Sequence, residues 1–158
     1  MKPFRHWETK NFHRLQLEQL CVLLDSLPRE RFNYSVFVGA RWKGMPDLSC
    51  GTTACAFGWA TTMPSVKAMG IKMEKNGSGL GCHPRFSVNG VPSGAFAAAC
   101  VAFGLDGNES EYLFRPNARL SNRPSAPSHR ATATEVSAHI RQFLTWKRWP
   151  GEPEALNV

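Results

Sequence analysis

The sequence predicts an α+β fold that is mainly helical, with five or six short helices around one core and a small β-ribbon. Three observations carry that expectation. Apolar residues recur at helical spacing in two stretches far apart in the chain, residues 11–27 and 133–146. An alanine-rich stretch, residues 94–103, stops at Gly104 as a short helix would. Two runs of extended character, Ile71–Glu74 and Arg85–Val88, flank the turn-forming Asn76-Gly77-Ser78-Gly79 segment.

Taken in order, residues 1–10 read as an irregular arm carrying Phe4 and Trp7. The first helix follows, with Leu17, Leu20, Cys21, Leu24 and Leu27 on one face, and Pro28 ends it. Phe32, Tyr34, Val36 and Val38 alternate with other residues as a short strand would, and residues 39–48 form a loop. A second helix is expected over residues 52–63, capped by Ser49 or Thr52. Pro64 opens a third over residues 64–69, with Gly70 closing it. Then comes the ribbon from Ile71 to Val88. Ser93 is expected to cap the alanine-rich helix, whose Phe96, Cys100 and Phe103 share a face. Residues 106–114 read as a helix with Tyr112, Leu113 and Phe114 turned inward, and residues 117–131 as a long polar loop. Thr132 and Glu135 stand at capping-box spacing before the last helix, where Val136, Ile140, Phe143, Leu144 and Lys147 form a stripe. The domain is expected to span residues 11–149, followed by a tail over 150–158. Cys55, Trp59, Phe96, Cys100, Leu113, Ile140 and Phe143 are the expected core.

Composition narrows the classes. At 158 residues a single domain can bury about 70% of its unfolded surface. With 42% hydrophobic and 20% charged residues, the chain has the makeup of a folded globule. No apolar run approaches the roughly 18 residues of a membrane span, and the first residues lack the apolar region of a secretory signal. The cytoplasm is therefore the expected location, and no membrane partner is expected. Nothing in the sequence fixes an oligomeric state.

Five cysteines, an odd number, argue for reduced thiols. Cys50, Cys55, Cys82, His83 and Cys100 are the candidates for a zinc site, because thiolate and imidazole are the right ligands. Their spacing is poor. Positions 50 and 55 on one helix would point about 140° apart, and adjacent residues such as Cys82 and His83 on an extended segment face opposite ways. No structural metal and no cofactor is expected. Cys50, placed before a helix, and His83 are the candidates for a catalytic site, but no base-and-orienter pairing appears among the histidines. The glycines at residues 77, 79 and 81 lack the Gly-Lys-Ser/Thr of a phosphate loop.

The formal charge is +7, from 19 Lys+Arg against 12 Asp+Glu. Between Arg115 and Arg148 there are seven basic residues (Arg115, Arg119, Arg123, Arg130, Arg141, Lys147 and Arg148) against one acid, Glu135. Arginine forks suit phosphates and acidic protein surfaces, and Trp146 and Trp149 nearby offer rings for bases to stack on. These seven are the candidate binding residues.

One stretch looks like a family signature: Cys50-Gly51-Thr52-Thr53-Ala54-Cys55-Ala56-Phe57-Gly58-Trp59-Ala60. With Leu27-Pro28 to Arg31-Phe32, Ala97 to Leu105 and Leu113-Phe114-Arg115-Pro116, it resembles small proteins encoded by bacteriophages and prophages. They share a Cys-Gly-Thr-x-Ala-Cys-Ala-x-Gly-Trp-Ala core, and no established activity comes with it. The resemblance covers about residues 11–145. It implies a non-enzymatic accessory protein that binds a host protein or protein–nucleic acid complex and inhibits or redirects it, a defence system such as a CRISPR effector included. Two alternatives stand beside it: a nucleic-acid-binding accessory protein using the basic C-terminal third, and a small enzyme with a Cys/His site.

Overall fold

The computed structural model of the protein describes residues 11–32, 55–74, 85–150 and 152. Its longest helices are the two with the clearest periodicity, α1 (Phe12–Ser26) and α6 (Ala133–Trp146). They pack along one another, and Leu17, Leu20, Cys21 and Leu24 share a buried cluster with Val136, Ile140, Phe143 and Leu144. Two reciprocal hydrogen bonds stitch the seam. The Cys21 thiol donates to the Ser137 carbonyl at 3.6 Å, and the Ser137 hydroxyl donates to the Cys21 carbonyl at 3.3 Å. A short 3₁₀ turn (Arg29–Arg31) follows α1. The alternation expected beyond Phe32 and the loop to Leu48 lie outside the described residues.

Helix α2 (Ala56–Ala60) is shorter than the spacing predicts. Cys55 is extended (φ −76°, ψ 176°), and its sulfur, in place of Ser49 or Thr52, accepts the amide of Gly58 at 3.4 Å. At the other end the hydroxyls of Thr61 and Thr62 fold back onto the Gly58 and Trp59 carbonyls, both at 2.6 Å. Such local bonds compete with the next helical turn. Pro64 then opens α3 (Pro64–Ala68). All five residues of α2 are buried. Trp59 donates its indole N–H to the Arg31 carbonyl at 2.9 Å, and the Arg31 guanidinium lies 4.8 Å from its ring centre.

The ribbon has three antiparallel strands, β1 (Ile71–Glu74), β2 (Arg85–Val88) and β3 (Val91–Ser93), in that order. Ile71 pairs with Val88, and Val88 with Val91. The β2–β3 connection is Asn89-Gly90, with φ of 52° and 81°. That is the two-residue turn whose twist suits a hairpin, and Asn-Gly is its preferred pair. Because β3 runs to Ser93, Gly94 and not Ser93 stands at the start of α4 (Ala95–Phe103).

Helix α4 turns a different face inward from the expected one. Ala98, Ala99, Ala102 and Phe103 are buried, while Phe96 and Cys100 are only partly covered. The stretch is apolar all round, so the close approach of other backbone selects the alanines. Gln16 of α1 donates its side-chain amide to the Ala102 carbonyl at 2.9 Å. Helix α5 (Gly107–Phe114) starts with a complete capping box between Asp106 and Glu109 and buries Tyr112, Leu113 and Phe114 as expected. Phe57, Phe86, Phe103 and Phe114 form a chain of ring contacts, with centroids 5.0 to 5.6 Å apart.

A C-terminal strap closes this core. Trp149 is buried, and its indole N–H is shared between the Phe103 and Gly104 carbonyls, each at 2.9 Å, at the end of α4. Gly104 ends that helix at φ 60°, and a Cβ there would lie 2.7 Å from the His13 ring. Only glycine meets both conditions. Replacing Trp149 by Phe keeps a ring in place but leaves two carbonyls without their donor. We expect urea unfolding to show a loss of about 1–3 kcal/mol with the far-UV circular dichroism unchanged. A loss below the error of that measurement would show that the indole N–H is dispensable.

Candidate binding surface

The basic third divides into committed and uncommitted cations. Arg141 reaches Asp25 of α1 at 2.7 Å and donates to the Ser137 hydroxyl at 2.6 Å. Lys147 contacts Glu109 of α5 at 2.8 Å, with both side chains largely covered. Arg115 meets Glu111 one helical turn back at 3.4 Å, in the open. These three hold the fold together or neutralise a local acid. Arg119, Arg123, Arg130 and Arg148 are exposed and have no carboxylate within ion-pair distance among the described residues.

The loop that carries three of them is pinned at several points. The Asn117 amide donates to the Pro127 carbonyl and the Ala126 amide to the Ala118 carbonyl, both at 2.9 Å. The tip reverses where the Arg123 amide donates to the Leu120 carbonyl at 3.1 Å, with Asn122 left-handed at φ 60°. The Tyr112 hydroxyl donates to the Pro124 carbonyl at 2.7 Å, and Ala126 and Ala131 are buried. Arg123 lies over the Trp146 ring, 3.9 Å from its centre. The Thr132 hydroxyl then accepts the Glu135 amide at 3.2 Å and starts α6. Residues 117–131 therefore hold a folded loop on the α5–α6 corner, with Arg119 and Arg130 exposed on it. Asn117 and Asn122 were the legible signal for this closure, since asparagine tolerates left-handed backbone.

The two tryptophans are already occupied. Trp149 is in the core, and Trp146 is half-buried beneath Arg123 and edge-on to Phe143 at 4.7 Å. Neither offers the open face that base stacking needs.

Of the cysteine candidates, Cys50, Cys82 and His83 lie outside the described residues. Burial pushes the Cys55 thiol up to about 11, and its sulfur is committed to the α2 cap. Burial likewise raises Cys21 to about 11 and raises Cys100, so all three are protonated at neutral pH. Among the described residues no three of His, Cys, Asp and Glu come together as metal ligands. No helix among them is long and apolar enough to cross a membrane. Comparison of the chain with protein-family models, with curated proteins and with solved structures finds no match.

Behind the loop, His139 is buried with its Nε2 2.8 Å from the Tyr112 carbonyl, and the two rings meet edge-on at 4.6 Å. Burial lowers its pKa below the ordinary 6.5, although the carbonyl contact works the other way. Burial lowers His13 in the same sense. The unfolded chain then takes up protons before the folded one does as pH falls. Stability should be steady between about pH 6.5 and 8 and decline as pH drops through the lowered values. His139→Gln, which keeps an N–H for Tyr112 and cannot titrate, should flatten part of that decline in thermal melts. A wild-type profile that is flat, or that rises on acidification, would contradict the assignment.

Proposed function

We propose that this chain is a non-enzymatic accessory protein of bacteriophage type that docks on a host protein or protein–nucleic acid complex through its arginine loop, inhibiting or redirecting it. The observation that carries the proposal is the presence of exposed arginines without carboxylate partners on a loop held by backbone hydrogen bonds, Tyr112 and Trp146. A loop ordered before binding loses less entropy on docking. The bacteriophage setting and the choice of a host defence complex such as a CRISPR effector rest on the sequence resemblance.

The second reading, nucleic-acid binding, keeps the arginine forks for phosphates but lacks free stacking rings on Trp146 and Trp149. A small enzyme would have to rely on Cys50 or His83, and turnover lost in Cys50→Ser or His83→Ala is what would establish it.

The decisive variant is Arg119→Ala with Arg130→Ala. Neither side chain makes a hydrogen bond or ion pair among the described residues, whereas Arg123→Ala would also remove a cation–π contact of about 0.5–1 kcal/mol. Tagged wild-type protein should capture a stoichiometric protein complex from bacterial lysate. The double variant should melt at the wild-type temperature and bind that complex more weakly by about 2 kcal/mol or more. Affinity for bare duplex that falls with salt at a log–log slope of about −0.9 per contact, with no protein partner, would favour the second reading. Full partner affinity in the folded double variant across a salt series would refute docking through this loop.

A further inference from the structure

Each tryptophan among the described residues carries a guanidinium on its ring. Arg31 lies 4.8 Å from the centre of Trp59, Arg14 5.4 Å from that of Trp149, and Arg123 3.9 Å from that of Trp146. The Arg14 stack is complete. Beside the Trp149 ring, that guanidinium donates to the Leu144 and Lys147 carbonyls and grips both carboxylate oxygens of Glu152, at 2.9 and 3.2 Å. Arg123 has the ring and lacks the carboxylate. None of its guanidinium N–H groups has an acceptor among the described residues. A guanidinium is planar and its N–H groups lie in that plane, so a ring on one face leaves them open to an acceptor.

The backbone holds Arg123 from both sides. Its amide donates to the Leu120 carbonyl at 3.1 Å after left-handed Asn122, and the Pro124 carbonyl next to it accepts the Tyr112 hydroxyl at 2.7 Å. Trp146 is held in turn by Phe143, edge-on at 4.7 Å, and by the Arg14 bond to the neighbouring Lys147 carbonyl at 2.7 Å. An exposed arginine ordinarily loses rotamer freedom when it binds; this one is seated beforehand. We propose that Arg123, stacked on Trp146, is a preformed fork for a carboxylate of an acidic protein segment, taking both oxygens as Arg14 takes those of Glu152. The assignment rests on the docking reading of the arginine loop and names the contact that selects its partner. Arg119 and Arg130 add charge there, but no ring contact or side-chain hydrogen bond orients them among the described residues. A nucleic acid at the same place would find both nearby rings, Trp146 and Trp149, already covered, which favours the carboxylate over a phosphate.

The test follows the Arg123 Nε–H signal of the full chain by NMR as end-capped hexaglutamate is added at low salt. Hexaglutamine serves as the neutral control and oligothymidylate as the phosphate control. Saturable movement of that signal is expected with hexaglutamate. Arg123→Lys keeps the charge and can still sit on the ring, but it cannot take both oxygens. Its affinity for the peptide should fall about fivefold or more while the melting temperature holds. Arg119→Lys with Arg130→Lys, which also keeps the charge, should bind within about twofold of wild type. Trp146→Leu should bind more weakly, and Trp146→Phe should recover most of the loss. The proposal is overturned if hexaglutamate leaves the Arg123 signal still up to its solubility limit. Equal affinity of wild type and Arg123→Lys would overturn it as well, since the loop would then be a patch of charge without a fork. Oligothymidylate moving the signal at lower concentration than hexaglutamate would make phosphate the target and defeat the carboxylate assignment. The docking reading fails separately. Lysate capture that is lost in Arg119→Ala with Arg130→Ala, but is indifferent to Arg123→Lys, keeps docking and removes the fork. A peptide response that depends on Arg123→Lys, with no protein captured, keeps the fork and removes docking.

Discussion

The guanidinium of Arg14, near the start of α1, ties together parts of the chain that the sequence separates by more than a hundred residues. It donates to the Leu144 and Lys147 carbonyls, both at 2.7 Å, and so satisfies the end of α6, whose last turn has no basic residue of its own. It also grips Glu152 with two nitrogens, at 2.9 and 3.2 Å, and lies 5.4 Å from the centre of the Trp149 ring. Burial alone would raise the Glu152 carboxyl, but Arg14 and the Trp149 amide outweigh it and hold the pKa below the ordinary value. With the strap fixed this way, Trp149 can close the end of α4 and Lys147 can reach Glu109 of α5. The α1–α6 seam, the α4 terminus and the α5–α6 corner under the arginine loop all depend on this arrangement.

The same commitments reshape the electrostatics. A net positive segment is a statement about a sum, and folding redistributes its terms. Arg141 and Lys147 look like surface charge in the chain, yet they find Asp25 and Glu109 across element boundaries. The Lys147–Glu109 pair is the covered one, and breaking it costs more than making it yields, because the surviving ion keeps its desolvation penalty. What remains available to a partner is a smaller set, Arg119, Arg123, Arg130 and Arg148, three of them on one loop. Arg123 is partly spent on Trp146, so Arg119 and Arg130 are the least encumbered cations on that loop.

Much of the architecture was legible in the chain because local rules agree there. Helix α6 was expected over its observed span, since Thr132 caps it and Val136, Ile140, Phe143 and Leu144 keep one period. The prolines at 28 and 64 acted as punctuation. Periodicity failed at α4 because every residue in it is apolar, so the pattern holds no phase; packing chose Ala98, Ala99 and Ala102 over Phe96 and Cys100. The β3 strand was missed although Asn89-Gly90 announced its hairpin, since Pro92 made the run look irregular. At the binding surface, composition named the seven cations but not their partners. Pairings over a hundred residues, such as Arg141 with Asp25, leave no local trace.

The seam between α1 and α6 also has a consequence in time. Contacts between residues 12–26 and 133–146 give the fold a high contact order, which slows folding because a long loop must close first. On the ribosome, at about 5–20 residues per second, α1 waits roughly 5–25 seconds for its partner helix to be made. Meanwhile Leu17, Leu20 and Leu24 present the apolar face that α6 will cover. The nascent chain must shelter that stripe by early contact with α2 and α4, which also pack on α1, or by a chaperone of the cell that makes it.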